Sequence, residues 1–465
     1  MFDLIIRNGQ IVSPSGIYHG DIAVEGEQVV CIGKILEGAK QIIDASGCYV
    51  MPGLVDAHVH LNCTSWNAVS ANDYYHGTVA AALGGVTTFI DFAGQTRGLS
   101  MRQSVDTLRS QINGETVIDY GLHVSITDDR PETLNEIEQI IANGIPSFKM
   151  FMTYRSHNIM VDDDMMLRIC ERISSCGGLP GVHAENDAIA GANYARFAAD
   201  GKLTPKYHAL AKPPYVEAEA VNRAIFIANI AQSPLYIYHL TTESSIESVK
   251  IAKISHQKVL AETCVHYLFL DRHMLDQPDG VNYICSPPLR DKADQEFLWQ
   301  AIQEGDIAVL STDDAAFNAS DKRKALGGPI ENIPNGLPGI GIRLPVVFTL
   351  GVDKKKISLE RFVEINCENP ARIFGLYPKK GSLQPGSDAD IIVIDPQYTV
   401  NLNVQSQNMH VDWCQYDGLD VRGFPKFTIA RGKIIVSNYK YCGEKGRGNF
   451  VPGTIQPEFI EKLFY

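Results

Sequence analysis

The sequence predicts an α/β protein, namely a (β/α)8 TIM-like barrel with a small β-sandwich domain built from both chain ends. Strand and helix patterns alternate over about 300 residues in the middle of the chain, as in a closed parallel sheet. Strand patterns without helices between them fill the first fifty residues and return near the end. The length of 465 residues also suggests one large domain and a smaller one.

The elements follow this plan in order. We expect the β-sandwich domain to comprise residues 1–52 and 372–440, the barrel 53–371, and a C-terminal arm 441–465. Strands over 4–7 and 10–12 should flank a turn at Asn8-Gly9, and strands over 21–24 and 28–32 should flank Gly26. Barrel strands are predicted over 86–91, 147–152, 235–239, 259–262 and 306–311, and helices over 131–142, 217–230 and 244–252. A strand over 389–395 and a hairpin over 427–436 complete the pattern.

Composition excludes several classes of partner. Hydrophobic residues at 45% and charged residues at 20% are typical of a soluble globular protein, and the net charge of −13 argues against nucleic acid or an anionic membrane as a partner. We expect neither a membrane span nor a signal peptide, because no apolar stretch is long enough and the start lacks a basic region before an apolar core. The ten cysteines are scattered without a Cys-x-x-Cys pair, which favours a reducing cytoplasm.

Residues that could bind metal occur where barrel strands are predicted to end, and functional groups of such barrels gather there. His58 and His60 are two residues apart on a strand, so both imidazoles point to one face. His183, His239 and Asp313 end later strands. Each has a simpler explanation when taken singly, since a histidine at a strand end is more often a hydrogen-bonded structural residue and an aspartate there can cap a helix.

Lys149 fits a structural role least well. It lies between Phe148 and Phe151 in an apolar barrel strand, where a buried ammonium is costly. It must therefore be paired, neutralised or chemically changed. Histidines away from strand ends, such as His19 and His157, are interpreted as surface or core residues.

These residues lie within a longer series of motifs. In order, the motifs are VDAHVH at 55–60, SFKMFMTY at 147–154, HAEN at 183–186, YHL at 238–240, ETC at 262–264, CSPPLR at 285–290, IPNGLPG at 333–339, NPARIFGLY at 369–377 and GSDAD at 386–390. Over nearly its whole length the chain resembles the dihydropyrimidinase/hydantoinase branch of the amidohydrolase superfamily, in particular its phenylhydantoinase-like members.

The resemblance implies a binuclear metal centre, usually of zinc, at the mouth of the barrel. His58, His60 and Asp313 would bind one Zn2+ ion, and His183 and His239 would bind the other. Lys149 would carry a carbamate derived from CO2, as N6-carboxylysine, and would bridge both ions. The family is usually tetrameric, so a homotetramer or a homodimer is expected.

The resemblance also implies a reaction, the hydrolytic opening of the cyclic amide C–N bond of a hydantoin or dihydropyrimidine by a metal-bridging hydroxide. Asp313 would take the proton of the water and pass it to the leaving nitrogen, and Tyr154 would donate a hydrogen bond to the oxyanion. Ser286 and Asn335 would hold the amide edge of the ring. From the residues alone, Tyr154, Ser286 and Asn335 could equally be loop structure.

The residues after His60 bear on the substrate. Dihydroorotases and allantoinases typically carry His-x-His-x-Arg, but here Leu61-Asn62 follows and no arginine can pair with a substrate carboxylate, so a neutral five- or six-membered ring is expected. Leu61, Cys63, Trp66 and Phe151 could line a pocket for its substituent, or could equally be core. Two alternatives stay open: the same chemistry on another cyclic ureide, such as allantoin or a purine breakdown product, and a non-catalytic scaffold of this fold.

Three positions depart from the family pattern. Asp314 stands where the family usually has histidine, Gly341 where it has an acidic residue, and Val265-His266 where it has Pro-Gln. These changes leave the expected ligands intact, but they bear on substrate and metal preference.

Overall fold

The computed structural model describes residues 1–464, and the middle of the chain forms a nearly closed sheet of eight parallel strands. Each strand pairs with the next one along the chain. In order, the strands are Leu54–Val59, Val86–Gly94, Asp119–Ser125, Ser147–Phe151, Leu179–His183, Leu235–Ile237, Val259–Cys264 and Val309–Ser311. A bridge between Val59 and Asp314 brings the first strand beside the residues that follow the last one. All six expected metal ligands therefore lie on one barrel.

Helices lie between the barrel strands in sequence, as a (β/α)8 barrel requires. The helix Pro131–Ala142 begins with a proline, whose missing N–H costs nothing in a first turn, and it buries Ile137 and Ile140. The α-helices of the described chain are Tyr74–Leu83, Met101–Ile112, Pro131–Ala142, Asp163–Ser175, Asp187–Ala199, Lys206–Ala211, Pro214–Ile230, Glu243–Ile254, Val265–Phe269, Lys292–Glu304, Ala319–Lys324, Arg343–Val347, Leu359–Val363, Asn369–Ile373 and Pro457–Ile460.

Both chain ends contribute to a second sheet of nine strands, so the predicted fold class is confirmed. Its strands are Phe2–Ser13, Gly16–Glu25, Gln28–Gly33, Ala39–Asp44, Tyr49–Pro52, Ile391–Ile394, Pro425–Ala430, Lys433–Ser437 and Lys440–Tyr441. The strand Tyr49–Pro52 joins the two ends, because it pairs in parallel with Phe2–Ser13 and antiparallel with Ile391–Ile394. Two small antiparallel sheets of two strands each pair Thr64–Ser65 with Ala68–Val69 and Thr399–Asn401 with Asp420–Arg422. The division of the chain into domains at the expected residues stays a prediction.

The turn predicted at Asn8-Gly9 is wrong. One strand, Phe2–Ser13, runs through this pair, and both of its halves pair with Gly16–Glu25. The pairing register shifts between Ile6 and Gly9, and Asn8 has a φ of 62°. Asparagine tolerates this left-handed conformation, and a β-bulge uses it as readily as a hairpin turn does.

The last residues, expected as an arm, pack against the barrel. Phe450 forms a bridge with Tyr120 near the start of a barrel strand. Val451, Ile460 and Phe464 are buried in a cluster that includes the barrel residue Leu179. This segment therefore contributes to the core. Among the described residues, no helix is both long and apolar enough to cross a membrane.

Candidate active site

His58, His60 and Asp313 converge at the mouth of the barrel. His58 is in the strand Leu54–Val59, His60 follows it, and Asp313 comes two residues after the last strand, with a φ of 49°. Asp313 Oδ1 lies 3.0 Å from His58 Nε2 and 3.3 Å from His60 Nε2. One potential ligand atom from each residue lies within 4.8 Å of the other two, so these side chains could hold one metal ion.

His183 and His239 form a second pair beside the first group. Their ring centroids are 4.4 Å apart, and the His239 ring lies 5.5 Å from the His58 ring. Glu185 Oε2 lies 2.7 Å from His183 Nε2, which leaves Nδ1 of that ring for another contact. The buried Nδ1 of His239 has no hydrogen-bond partner within the described part of the chain. A buried nitrogen without a partner is energetically costly, and a metal ion bound by His183 and His239 would supply that partner.

Lys149 lies between the two groups and is almost fully buried. Its Nζ is 2.9 Å from His58 Nε2. The same atom lies 4.5 Å from the ring centroid of Phe92 and 4.7 Å from that of Tyr238. Burial lowers the pKa of this amine. Among residues 1–464 no carboxylate pairs directly with this amine, so burial favours its neutral form over the ammonium, even though the two ring faces would attract a cation.

The protonation states suit metal binding. Burial lowers the pKa of His60 to about 4 and also lowers the pKa values of His183 and His239, so these three imidazoles are neutral near pH 7. Burial also acts on His58, but the Asp313 and Glu262 carboxylates outweigh it and raise the His58 pKa, so metal binding there would compete with a proton. Burial alone would raise the pKa of Asp313, but His58 and His60 hold it well below its usual range. Neutral imidazoles and an ionised carboxylate are the forms that bind metal.

A cavity of about 350 Å³ opens over these residues. His60, Lys149, His183, His239 and Asp313 form part of its wall. Four aromatic rings form much of the remainder, those of Trp66, Phe92, Phe151 and Phe317. Its size is that of a small-molecule site.

Three of the four residues proposed to line a substituent pocket do line this cavity. Cys63, Trp66 and Phe151 line it as expected, whereas Leu61 is buried in the main core near Gly77. His157, which the sequence suggested was a surface or core residue, is exposed and also lines the cavity. The His157 ring packs against the Trp66 ring, with their centroids 5.9 Å apart, and this contact holds His157 at the cavity.

Tyr154, Ser286 and Asn335 meet on the same wall of the cavity. Tyr154 has a φ of 66°, which is strained for a bulky residue, and its ring centroid lies 5.3 Å from that of His183. Ser286 Oγ donates to Asn335 Oδ1 at 3.2 Å. Burial raises the pKa of the Tyr154 phenol, so the hydroxyl keeps its proton. The structure thus brings the six expected metal ligands together with Tyr154, Ser286 and Asn335, but not with Leu61.

Supporting residues were missed in the sequence. Glu262 Oε1 is 2.5 Å from His58 Nδ1, and the buried Lys212 ammonium donates to both Glu185 Oε2 and Ser286 Oγ at 2.8 Å. Glu185 lies in the HAEN motif and Glu262 in the ETC motif, so these motifs could have pointed to both residues. Lys212 lies in none of the motifs, and nothing in the sequence pointed to it. His58, Glu262 and Cys264 also form a cluster that could hold a metal ion, but Glu262 and Cys264 are fully buried and do not line the cavity.

Asp314 lies behind the cavity wall. Its Oδ1 accepts hydrogen bonds from the backbone amides of Gly339 and Ile340 at 2.6 and 3.1 Å, and burial raises its pKa to about 6. Its backbone carbonyl accepts from the His60 amide at 2.8 Å. Asp314 therefore fixes backbone around the site, and its carboxylate does not add a ligand to the cavity wall.

A barrel with such a histidine-rich mouth defines a class of metal-dependent hydrolases, and comparison with known proteins agrees. Residues 49–435 match the model of the amidohydrolase family, and the chain belongs to that family. It is 40% identical to a D-hydantoinase of Ralstonia pickettii over 97% of this chain and 98% of the relative. It is 38% identical to a D-phenylhydantoinase of Escherichia coli over 96% and 97% of the two chains.

Solved structures give the same result. A dihydropyrimidinase from Brevibacillus agri superposes with a TM-score of 0.95 at 36% identity, covering 97% of this chain and 98% of that one. An L-hydantoinase from Arthrobacter aurescens superposes with a TM-score of 0.89 at 30% identity, covering 97% and 100%. Membership of this family implies divalent metal ions, and the neutral imidazoles, the Asp313 carboxylate and the unpaired His239 Nδ1 fit them.

Proposed function

We propose that this protein hydrolyses the C–N bond of a neutral cyclic amide, a 5-substituted hydantoin or a dihydropyrimidine, at the cavity described above. The observation that carries the proposal is that one cavity is lined by His60, Lys149, His183, His239 and Asp313 together with Tyr154, Ser286 and Asn335. His58 lies directly beside it, within metal-binding reach of His60 and Asp313. The hydantoinases and dihydropyrimidinases at 36–40% identity support the same reaction.

The residues have separate tasks in holding the metals. His58, His60 and Asp313 would hold one divalent ion, and His183 and His239 the second, with Lys149 between them. Imidazole and carboxylate donors suit Zn2+. When bound, such ions lower the pKa of water and polarise a carbonyl. The neutral Lys149 amine would attack CO2, forming an N–C bond and releasing one proton, and the resulting carbamate would supply two oxygens that share one negative charge.

Four side chains act on the substrate. Asp313 accepts a proton as water adds to the ring carbonyl, and it returns that proton to the ring nitrogen as the C–N bond breaks. Tyr154 keeps its hydroxyl proton and donates a hydrogen bond to the carbonyl oxygen, where negative charge develops. Ser286 and Asn335 hold the opposite amide edge of the ring. The products are a carboxylate and an open-chain amide or ureido group.

The cavity indicates what the ring carries. Lys149 is the one lysine or arginine on the wall formed by the described residues, so nothing there pairs with an anionic substituent. Trp66, Phe151 and Phe317 offer aromatic surface, which favours an apolar or aryl substituent. A 5-arylhydantoin is therefore the preferred substrate of the class.

Metal analysis and two variants test the proposal. We expect close to two zinc ions per chain, and we expect His58→Ala and Asp313→Ala each to lose metal and to reduce ring opening by at least about 10³-fold. His19→Ala changes an exposed histidine on the terminal sheet and should leave both unchanged. Full turnover in both site variants would refute the proposal.

A panel of cyclic substrates distinguishes the proposed activity from hydrolysis of another cyclic ureide and from a non-catalytic scaffold. With metal-replete protein we expect phenylhydantoin to react faster than dihydrouracil, and both to react faster than allantoin or dihydroorotate. Preference for allantoin would assign the site to another cyclic ureide. No turnover of any of them, together with absence of bound metal, would favour a scaffold role.

The protein would act in the cytoplasm as a homotetramer or homodimer. All ten cysteines are free, which suits a reducing compartment. Phe226 and Ile230 on one helix and Ile251 and Ile254 on the next are each more than three-fifths exposed. Two packed helices with such an apolar face favour self-association. Light scattering should give a multiple of 51.2 kDa, and Phe226→Glu with Ile230→Glu should lower it.

A further inference from the structure

Lys322 occupies an unusual position behind the cavity. It lies in the short helix Ala319–Lys324 and its side chain is fully buried. Its ammonium donates to three backbone carbonyls, those of Asn282 at 2.8 Å, Ile284 at 2.9 Å and Gly336 at 2.6 Å. It forms no ion pair with any carboxylate in residues 1–464. A buried cation without a counter-ion is costly, so these three bonds are what compensates it.

The three carbonyls belong to the two segments that carry the proposed ring-holding residues. Ile284 precedes Ser286 by two residues, and Gly336 directly follows Asn335. The Gly336 amide donates to the Ile284 carbonyl at 3.0 Å, and Ser286 Oγ donates to Asn335 Oδ1 at 3.2 Å. Lys322 therefore lies where the two segments meet, on the side away from the cavity.

We propose that Lys322 is a positioning residue for ring opening, because its ammonium sets the separation of the segments that present Ser286 and Asn335. The inference rests on the proposed function. Asn282 lies in the short 3-10 helix Gly280–Tyr283, whereas Ile284 and Gly336 lie outside helices and strands, so side-chain donors such as Lys322 help to fix their backbone. Lys322 does not touch the metal ligands, so its loss should weaken binding of the ring more than it slows the chemical step.

The experiment compares Lys322→Met with Lys324→Met at pH 6.5. Burial lowers the pKa of Lys322 to about 7, so the ammonium form predominates there. Lys324 lies on the same helix with its side chain 75% exposed, and is a matched control. For Lys322→Met we expect KM for phenylhydantoin to rise about tenfold with kcat changed less than about threefold. We expect no change for Lys324→Met and partial rescue in Lys322→Arg.

Hydrogen exchange supplies a measurement that does not depend on activity. In Lys322→Met, amides of 282–286 and 335–337 should exchange at least about tenfold faster, while those of 54–60 keep their rates. Unchanged exchange and unchanged KM, with only a lower Tm, would overturn the proposal. If Lys322→Met does not fold, Lys322→Gln replaces it, since its amide retains two donors. A wild type that opens no cyclic amide would refute the proposed function, and the exchange rates would still show whether Lys322 fixes both segments.

Discussion

At the scale of single residues, side chains behind the cavity decide how the candidate ligands are presented. Glu262 Oε1 is 2.5 Å from His58 Nδ1, and the Tyr236 hydroxyl donates to Glu262 Oε2 at 2.9 Å. The carboxylate favours the His58 tautomer with its proton on Nδ1, which leaves Nε2 facing Asp313 and Lys149. The His58 ring, a candidate metal ligand, is therefore oriented by Glu262, which does not line the cavity.

Changing Glu262 to Gln should loosen the metal. The neutral amide no longer selects that tautomer, so we expect metal affinity to fall by about 10–100-fold. Metal content after dialysis against a graded series of chelator concentrations measures this. Glu247→Gln, at an exposed position, is the control. Equal retention of metal in Glu262→Gln and in the wild type would show that Glu262 does not orient His58.

Lys322 should also make stability depend on pH. Burial lowers its pKa from 10.5 to about 7, so between these values the unfolded chain keeps a proton that the folded chain has released. Stability therefore rises with pH in this window, by up to about 1.4 kcal/mol per pH unit, and below pH 7 the contribution is flat. We expect the free energy of unfolding of the wild type, minus that of Lys322→Met, to grow by about 1 kcal/mol from pH 7.5 to 8.5. Urea denaturation measures both free energies, and a difference between the two proteins that stays constant with pH would contradict this prediction.

At the scale of elements, irregular segments at the barrel mouth carry more of the site than the strands do. Asn335 is in a loop whose next residue, Gly336, has a φ of 140°. A Cβ there would lie 2.5 Å from both the Cβ and the carbonyl oxygen of Ala315. Glycine is thus required twice, by backbone conformation and by close packing.

Gly336→Ala should consequently disturb both folding and the site. We expect a loss of about 1–3 kcal/mol of stability and a fall in kcat/KM of at least about tenfold, because relief of the clash moves Asn335. Urea unfolding and steady-state kinetics measure the two effects. Gly191→Ala is the control, since its Cβ would meet nothing within 4 Å in an exposed stretch of helix. An active, stable Gly336→Ala variant would mean that this loop adapts freely.

At the scale of the whole molecule, a buried ionic cluster joins the barrel to the terminal sheet. The Lys380 ammonium lies 2.7 Å from Asp119, at the start of a barrel strand, and 2.7 Å from Asp390, beside the sheet strand Ile391–Ile394. Asp388 contacts it at 2.9 Å, and Arg431 contacts Asp119 at 3.0 Å. Removing one cation from such a cluster leaves buried carboxylates without a partner.

Lys380→Met should therefore cost about 3–5 kcal/mol of unfolding free energy. Lys379→Met is a close control, because the Lys379 side chain is 55% exposed and the buried Asp388 that it pairs with keeps Lys380 as a partner, so we expect a loss of at most about 1 kcal/mol. Urea denaturation of the two variants gives the comparison. Similar losses in both would show that the cluster does not join the two parts of the molecule.

The sequence indicated which residues lie together at the candidate site better than it indicated the residues that support them. Periodic patterns gave the helix Pro131–Ala142 with both of its ends, because such patterns reflect local contacts with one core. The Asn8-Gly9 pair was misjudged, since turn and bulge share one local conformation and pairing with Gly16–Glu25 decides between them. Lys212 and Lys322 carried no signal, because the carbonyl, carboxylate and hydroxyl oxygens that accept their hydrogen bonds are 14 to 74 residues away in the chain.

The sequence by itself determined the alternation of strands and helices, the residues expected to bind metal, and the absence of an arginine after His60. These features are visible because they depend on residue type and on spacing along the chain. Only the tertiary structure decided that Leu61 belongs to the core, that His157 lines the cavity and that Lys322 joins two segments. Those outcomes depend on which distant backbone groups come within hydrogen-bond or van der Waals reach, and closure of the barrel sets those distances.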